Sequence, residues 1–293
     1  MHDAEFAVAN AEMQDGEGLD SVDVGDLQEV LPGVDESGIA YALYEPDSGF
    51  ADPVATTNAY VEAGQRAGGV AREGTPVDRI EGDGGKVRGV RVAGELLECD
   101  ALVLAAGPWS GKLAAGAGVE LPLELTREQD VVFETAPEAT IPCAVSSQID
   151  RVYLRPDGDA RVLVGRGFPK EYEHADADGY DEEVDPAFER DVHARVAARL
   201  PRLAGMRAVG GRVGLYDVTP DWHPLLGPVD GVEGLHLATG GSGHCFKLGP
   251  AIGELVAAGL LGRKLAHADI ASFSVGRFAD GREFRSTYGG NRA

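Results

Sequence analysis

The stretch Gly240-Gly241-Ser242-Gly243-His244-Cys245-Phe246-Lys247 constrains this chain most. It lies between a short apolar run, residues 235–239, and an amphipathic segment, residues 250–261, that Gly262 stops. A strand that empties into small residues and then a helix forms a strand–turn–helix unit. Small residues let the backbone approach a ligand closely, and the helix start offers N–H donors. Lys247 is unusual there, because only 5 of the 26 basic residues are lysine. Two readings stand open: a functional cation, or a solvated Lys on an ordinary turn.

A second unit of the same kind lies upstream. Residues 102–106 are a continuous apolar run of the sort buried in a parallel sheet. The run ends at Gly107, just before a helix expected over residues 110–117. A strand feeding a Gly turn and a helix is a natural ligand crevice in an open α/β sheet.

Between and around these units the pattern is mixed. Residues 26–32 read as a short helix ended by Pro32. Asp52-Pro53 reads as an N-cap followed by the first helical residue, opening a helix to Gly68-Gly69. Residues 70–75 read as a short strand. A hairpin follows, residues 76–80 against 87–92, turning at Gly82-Asp83-Gly84-Gly85. Residues 124–135 and 152–167 read as strands, the latter turning at Pro156-Asp157-Gly158. Residues 175–185 form an acidic loop, 186–200 an amphipathic helix closed by Pro201, and 209–216 a strand. Residues 1–25 are polar and acidic, so the chain is expected to be loose at its start. The fold class is α+β.

Composition narrows the partners. Asp and Glu outnumber Lys and Arg by 49 to 26, for a net charge of −23. The acidic residues run along the whole chain, which fits a salt-adapted surface kept soluble by charge. The same charge argues against nucleic acid or an anionic membrane as a partner. The three cysteines, Cys99, Cys143 and Cys245, lack the spacing of a disulfide framework or a zinc site. No apolar run approaches the ~20 residues of a membrane span. The N-terminus lacks the basic and apolar regions of a signal peptide. A soluble, cytoplasmic protein is expected. No HExxH, P-loop or G-x-S-x-G is present, so hydrolase and NTPase chemistry has no residues to stand on.

Four blocks in order carry a resemblance. They are LYEPDSGFADP (43–53), CDALVLAAGPWS (99–110), GLYDVTPDWHPLLGP (214–228) and GGSGHCFKLGPAIGEL (240–255). Together they closely resemble the FAD-dependent glycine/D-amino-acid oxidase family, with sarcosine-oxidase-like and glycine-oxidase-like members nearest. The family's opening βαβ unit with G-x-G-x-x-G, where the FAD pyrophosphate sits on a helix N-terminus, is absent from this sequence. The resemblance implies a discontinuous FAD-binding domain over residues 51–118 and 209–280. It also implies an antiparallel substrate domain over 1–50 and 119–208, leaving 281–293 as a tail.

The implied activity is oxidation of the C–N bond of a small amino acid or N-methyl amino acid, with hydride transfer to flavin. Oxygen or an electron carrier is the acceptor. The alternative is a fragment or subunit that needs a partner chain, supplying the missing segment, to bind FAD. Lys247 matches the family's flavin-proximal Lys, and its competing reading is a Lys with a packed stem and a solvated head. His244 matches an active-site His, against a structural one. Tyr216 matches a Tyr lining the substrate cavity, against a core Tyr. Gly240, Gly241 and Gly243 would let the backbone approach the flavin. Ala106, Gly107 and Trp109 match the loop passing near FAD, and Val77 matches the residue whose backbone meets adenine. Gly214 stands where covalent members carry a flavin-linking Cys, so non-covalent FAD is implied. Cys245, where the family more commonly has Gly, reads as a small buried hydrophobe. Arg127 is either a carboxylate anchor or, more simply, a surface Arg.

Overall fold

The computed structural model describes residues 20–22, 24–40, 42–168, 170–266 and 268–285. The expectation of a loose start over residues 1–25 therefore lies largely outside the described residues. The chain divides into two compact units. The first comprises Met1–Ala51, Arg127–Glu173 and Asp181–Gly214; the second comprises Asp52–Thr126, His174–Tyr180 and Leu215–Ala293. The fold is α+β.

The first unit is built on a six-stranded sheet. Its path runs Glu173–His174, Glu124–Glu134, Arg161–Arg166, Val152–Pro156 and Val145–Ser147, and Arg207–Val218 also pairs with Glu124–Glu134. The register places Phe133 opposite Val162, and Val131 and Leu154 on either side of Val164. Period-two alternation puts these residues on one face. That face is buried under the Pro186–Arg199 helix through Val192 and Val196. On the other face Asp130, Gly165 and Tyr153 form a cross-strand row. The Tyr153 hydroxyl donates to Asp130 at 2.7 Å, with the hydroxyl end of its ring against Gly165. A Cβ on Gly165 would sit 2.3 Å from that ring, so the row requires glycine there.

The second unit holds a three-stranded sheet in the order Leu225–Pro228, Leu235–Thr239, Leu102–Leu104. The first pair is antiparallel and the second parallel, with Leu237 opposite Leu104. Alternation again sorts the side chains. Leu226, Val103 and Ala238 meet Leu255 and Val256 of the Gly249–Leu260 helix. Leu104, Leu225, Leu235 and Leu237 meet Ile80, Val87, Ala114 and Val119 on the opposite face. Apolar cover on both faces is what a parallel pair needs.

Beside it lies an antiparallel sheet of Arg79–Asp83, Lys86–Val92 and Glu95–Glu98. Its first turn uses Gly84 and Gly85 at φ +59° and +81°. That backbone matches the twist of a tight hairpin and is open to glycine.

The strand expected over residues 70–75 does not form. The segment is a turn, and Val70 is 83% exposed with no strand beside it to pair. The helix opened by Asp52-Pro53 does form, over Pro53–Arg66, with the Asp52 side chain accepting from Ala55 N–H at 2.8 Å. It buries none of its residues, although Val54, Tyr60 and Val61 lie along it.

Candidate functional site

The two strand–turn–helix units become neighbours because Leu102–Leu104 and Leu235–Thr239 run parallel. Their carboxyl ends empty at the same sheet edge, one into the Gly107 turn and the other into the Gly240–Lys247 loop. The Thr239 hydroxyl ties the two together, sharing a hydrogen bond with the Ser110 hydroxyl at 2.8 Å and lying 3.5 Å from Gly107 O. A crevice outside the carboxyl ends of parallel strands is where ligands bind in open sheets.

The loop is rigidly specified from within. Gly240 has φ +72°, and a Cβ there would meet Thr219 Cγ2 at 2.5 Å. Gly243 has φ +77°, and a Cβ there would meet the Tyr216 ring at 2.2 Å. Ser242 also adopts positive φ, +48°, which is strained for a residue with a Cβ. Its buried hydroxyl repays this by donating to Gly240 O at 3.2 Å and accepting from Thr219 N–H at 3.2 Å. Gly240 and Gly243 thus make room for the protein's own side chains. Gly107, at φ +49°, differs: a Cβ there meets nothing within 4 Å.

Asp217, which lies in the quoted block 214–228 but is given no role there, anchors the loop. Its Oδ2 accepts from Gly240 N–H at 2.7 Å and from the Thr239 hydroxyl at 3.0 Å. Its Oδ1 accepts from Gly241 N–H at 3.0 Å. Its backbone carbonyl accepts from Ser242 N–H at 3.1 Å.

Beyond Gly243 the loop opens outward. His244 is half-buried and its Nδ1 lies 3.1 Å from Ser242 O. A carbonyl only accepts, so Nδ1 carries the proton and Nε2 is left as an acceptor. Burial pushes the imidazole below its usual range, opposed by the Ser242 carbonyl and reinforced by the charges of Lys247 and His223. Cys245 is held protonated, its thiol pushed up to about 11 by burial and by Asp217, with Lys247 opposing. Lys247 is exposed, with no ion pair among the described residues. Nor do the described residues provide acceptors for the N–H groups of Cys245, Phe246 and Lys247.

The structure therefore brings together Tyr216, Gly240, Gly241, Gly243, His244 and Lys247, with Ala106, Gly107 and Trp109 at the adjoining strand end. Trp109 is 43% exposed, its indole N–H bound to Asp178 at 2.9 Å; Lys112 reaches the same carboxylate at 2.6 Å. Val77 lies two residues before the hairpin strand, and no hydrogen bond among the described residues joins it to either loop. Arg127 corrects the surface reading. It is buried, and its guanidinium donates to Asp185, Glu173 and the carbonyls of Asp181 and Glu183. It staples the acidic loop to the sheet with four of its five N–H donors.

Comparison with known proteins decides the family. Residues 2–258 match the family described as FAD dependent oxidoreductase (DAO). The chain belongs to this family. It is 36% identical over 171 residues to glycine oxidase of Pseudomonas putida, a match covering 58% of this chain and 44% of that protein. It is 28% identical over 258 residues to D-amino acid dehydrogenase of Bradyrhizobium diazoefficiens, covering 86% and 58%. Its fold superposes on L-proline dehydrogenase from P. horikoshii with a TM-score of 0.87 at 25% identity, covering 97% of this chain and 76% of that one. The chain spans about half the length of the curated relatives it matches.

The residues present fit the ring end of FAD. Unpaired backbone N–H groups and a free ammonium suit the carbonyl and nitrogen edge of a flavin, and the bare Gly107 turn leaves space beside them. Among the described residues none forms a G-x-G-x-x-G phosphate cradle. No described helix is long and apolar enough to cross a membrane.

Proposed function

We propose that this member of the DAO family oxidises the C–N bond of a small amino acid or N-methyl amino acid, holding FAD without a covalent link. The observation that carries this reading is the set of unpaired donors: Lys247 and the N–H groups of Cys245, Phe246 and Lys247, beside the open Gly107 turn. FAD, when bound, would supply the hydride-accepting chemistry for the carbon next to nitrogen. The chain's own residues supply charge and orientation. Lys247 offers a preorganised cation to negative charge that develops during the reaction. Neutral His244 presents Nε2 as an acceptor for an amine proton. Tyr216, packed on Gly243, borders the substrate. Gly214 has no side chain for a covalent link.

On this reading residues 51–118 and 209–280 bind FAD, with Val77 at the adenine, and residues 1–50 and 119–208 form the substrate domain. The unburied face of Pro53–Arg66 supports a partner chain that supplies the pyrophosphate cradle. The net charge of −23 supports a soluble, salt-adapted protein of the cytoplasm.

Expression with the native upstream DNA and purification in high salt test the reading. A flavin absorbance band should accompany the protein. Sarcosine, glycine or a D-amino acid should bleach it without air, and readmitted oxygen or an added carrier should restore it. A full-length product without flavin refutes the proposal.

A further inference from the structure

We propose that Asp217 is the positioning residue of the site: its carboxylate sets the backbone path that delivers His244 and Lys247. Asp217 takes three consecutive loop N–H groups, those of Gly240, Gly241 and Ser242, two through its carboxylate and one through its carbonyl. It also takes the hydroxyl of Thr239, the residue that joins this loop to the Gly107 turn. Bonds to an ionised acceptor are about twice as strong as neutral ones.

The pattern of donors along the loop then has a cause. Up to Ser242 every N–H is turned inward, toward Asp217. The positive φ values at Ser242 and Gly243 reverse the backbone. From Cys245 to Lys247 the N–H groups have no acceptor among the described residues. Asp217 thus divides the loop into a clamped half and a presenting half. Both carboxylate oxygens are occupied by the loop, so Asp217 does not itself hold substrate. Its charge also reaches the presenting half, where it opposes ionisation of Cys245.

The inference rests on the flavin reading for what the loop presents, but not for the clamp. The test uses Asp217→Asn, which keeps the shape but turns an acceptor into a donor facing a donor. Asp217→Glu keeps the charge and displaces the loop. Asp83→Asn is the control, since Asp83 is an exposed hairpin residue that pairs with Arg88 at 3.5 Å. Hydrogen exchange by mass spectrometry over residues 239–248 reads the clamp on the purified protein. Losing one charge-assisted bond should speed opening about tenfold in Asp217→Asn. Asp217→Glu should show a smaller effect, and Asp83→Asn none in this segment. The second readout is the absorbance band of bound FAD, which should shift in both Asp217 variants and stay unchanged in Asp83→Asn. Unchanged exchange in both Asp217 variants overturns the clamp. Faster exchange with an unshifted flavin band overturns the positioning role. If no variant and no wild-type protein binds FAD, the functional reading fails, and the exchange result alone decides the clamp.

Discussion

Replacing Arg277 with Met should be among the most destabilising single changes in the second unit. Arg277 is completely buried and its partner Asp221 nearly so, at 0% and 2% side-chain exposure. The guanidinium donates to both Asp221 oxygens at 2.8 Å and to the carbonyls of His223, Phe273, Pro224 and Ser274. Met replaces the stem and none of these bonds. Asp221 would keep only the N–H groups of His223 and Phe284, each at 3.1 Å, and the Thr219 hydroxyl at 3.3 Å. Removing one partner of a buried pair costs about 3–5 kcal/mol, because the other charge stays buried. Urea unfolding at constant salt, followed by far-ultraviolet circular dichroism, measures the loss. Adding Asp221→Asn to Arg277→Met should cost far less than the sum of the two single changes, since the stranded charge is gone. A loss below about 1 kcal/mol for Arg277→Met would match an exposed pair and refute the reasoning.

Further outcomes follow from the loops and the acids. In flavin-loaded protein, Lys247→Met should retain the cofactor and slow turnover by ~10²–10³, the usual effect of removing one preorganised stabilising group; unchanged steady-state rates would make Lys247 surface filler. Gly243→Ala should destabilise the protein by at least about 1–3 kcal/mol through its left-handed backbone and its overlap with Tyr216. Gly111→Ala, in the Ser110–Gly116 helix with open space around it, should stabilise by about 0.5–1 kcal/mol; thermal melts compare the two. Acid should weaken the fold in a defined window. Burial alone would raise the Asp221 and Asp150 carboxyls, but bonds from Arg277 and Arg199 outweigh it and hold both below the usual range. Groups depressed in the folded state lend stability above their unfolded pKa of about 3.9 and lose it as pH falls through the folded value. Unfolding midpoints should therefore stay level from neutral pH downward and drop below about pH 4; Asp221→Asn should flatten that drop.

Much of this fold was legible where local chemistry and pattern agree. The apolar run at Leu235–Thr239 and the Asp52-Pro53 helix start were both readable from neighbours in sequence. So were the small residues at Gly107 and Gly240, each after an apolar strand. What failed depended on partners far along the chain. Val70 has strand propensity, but no strand lies beside it. Arg127 reads as a surface residue until residues 173–185 fold over it. Asp217 sits beside Tyr216 in a quoted block, yet its role needs loop amides 23 residues away. Arg277 lies in a stretch with no motif, and only the turn at Asp221 gives its charge a home.

The parallel strand pair also governs when this site can exist. Gly107 and Thr239, which meet at the crevice, are 132 residues apart in the chain. During synthesis Leu102–Leu104 emerges long before the strand that will pair with it, and much of the first unit is made in between. Contacts of such high sequence separation form slowly, and unpaired strand edges invite association meanwhile. The crevice between the two loops therefore cannot close until residue 239 has been made. A ligand that needs both loops can reward the finished fold but cannot seed it.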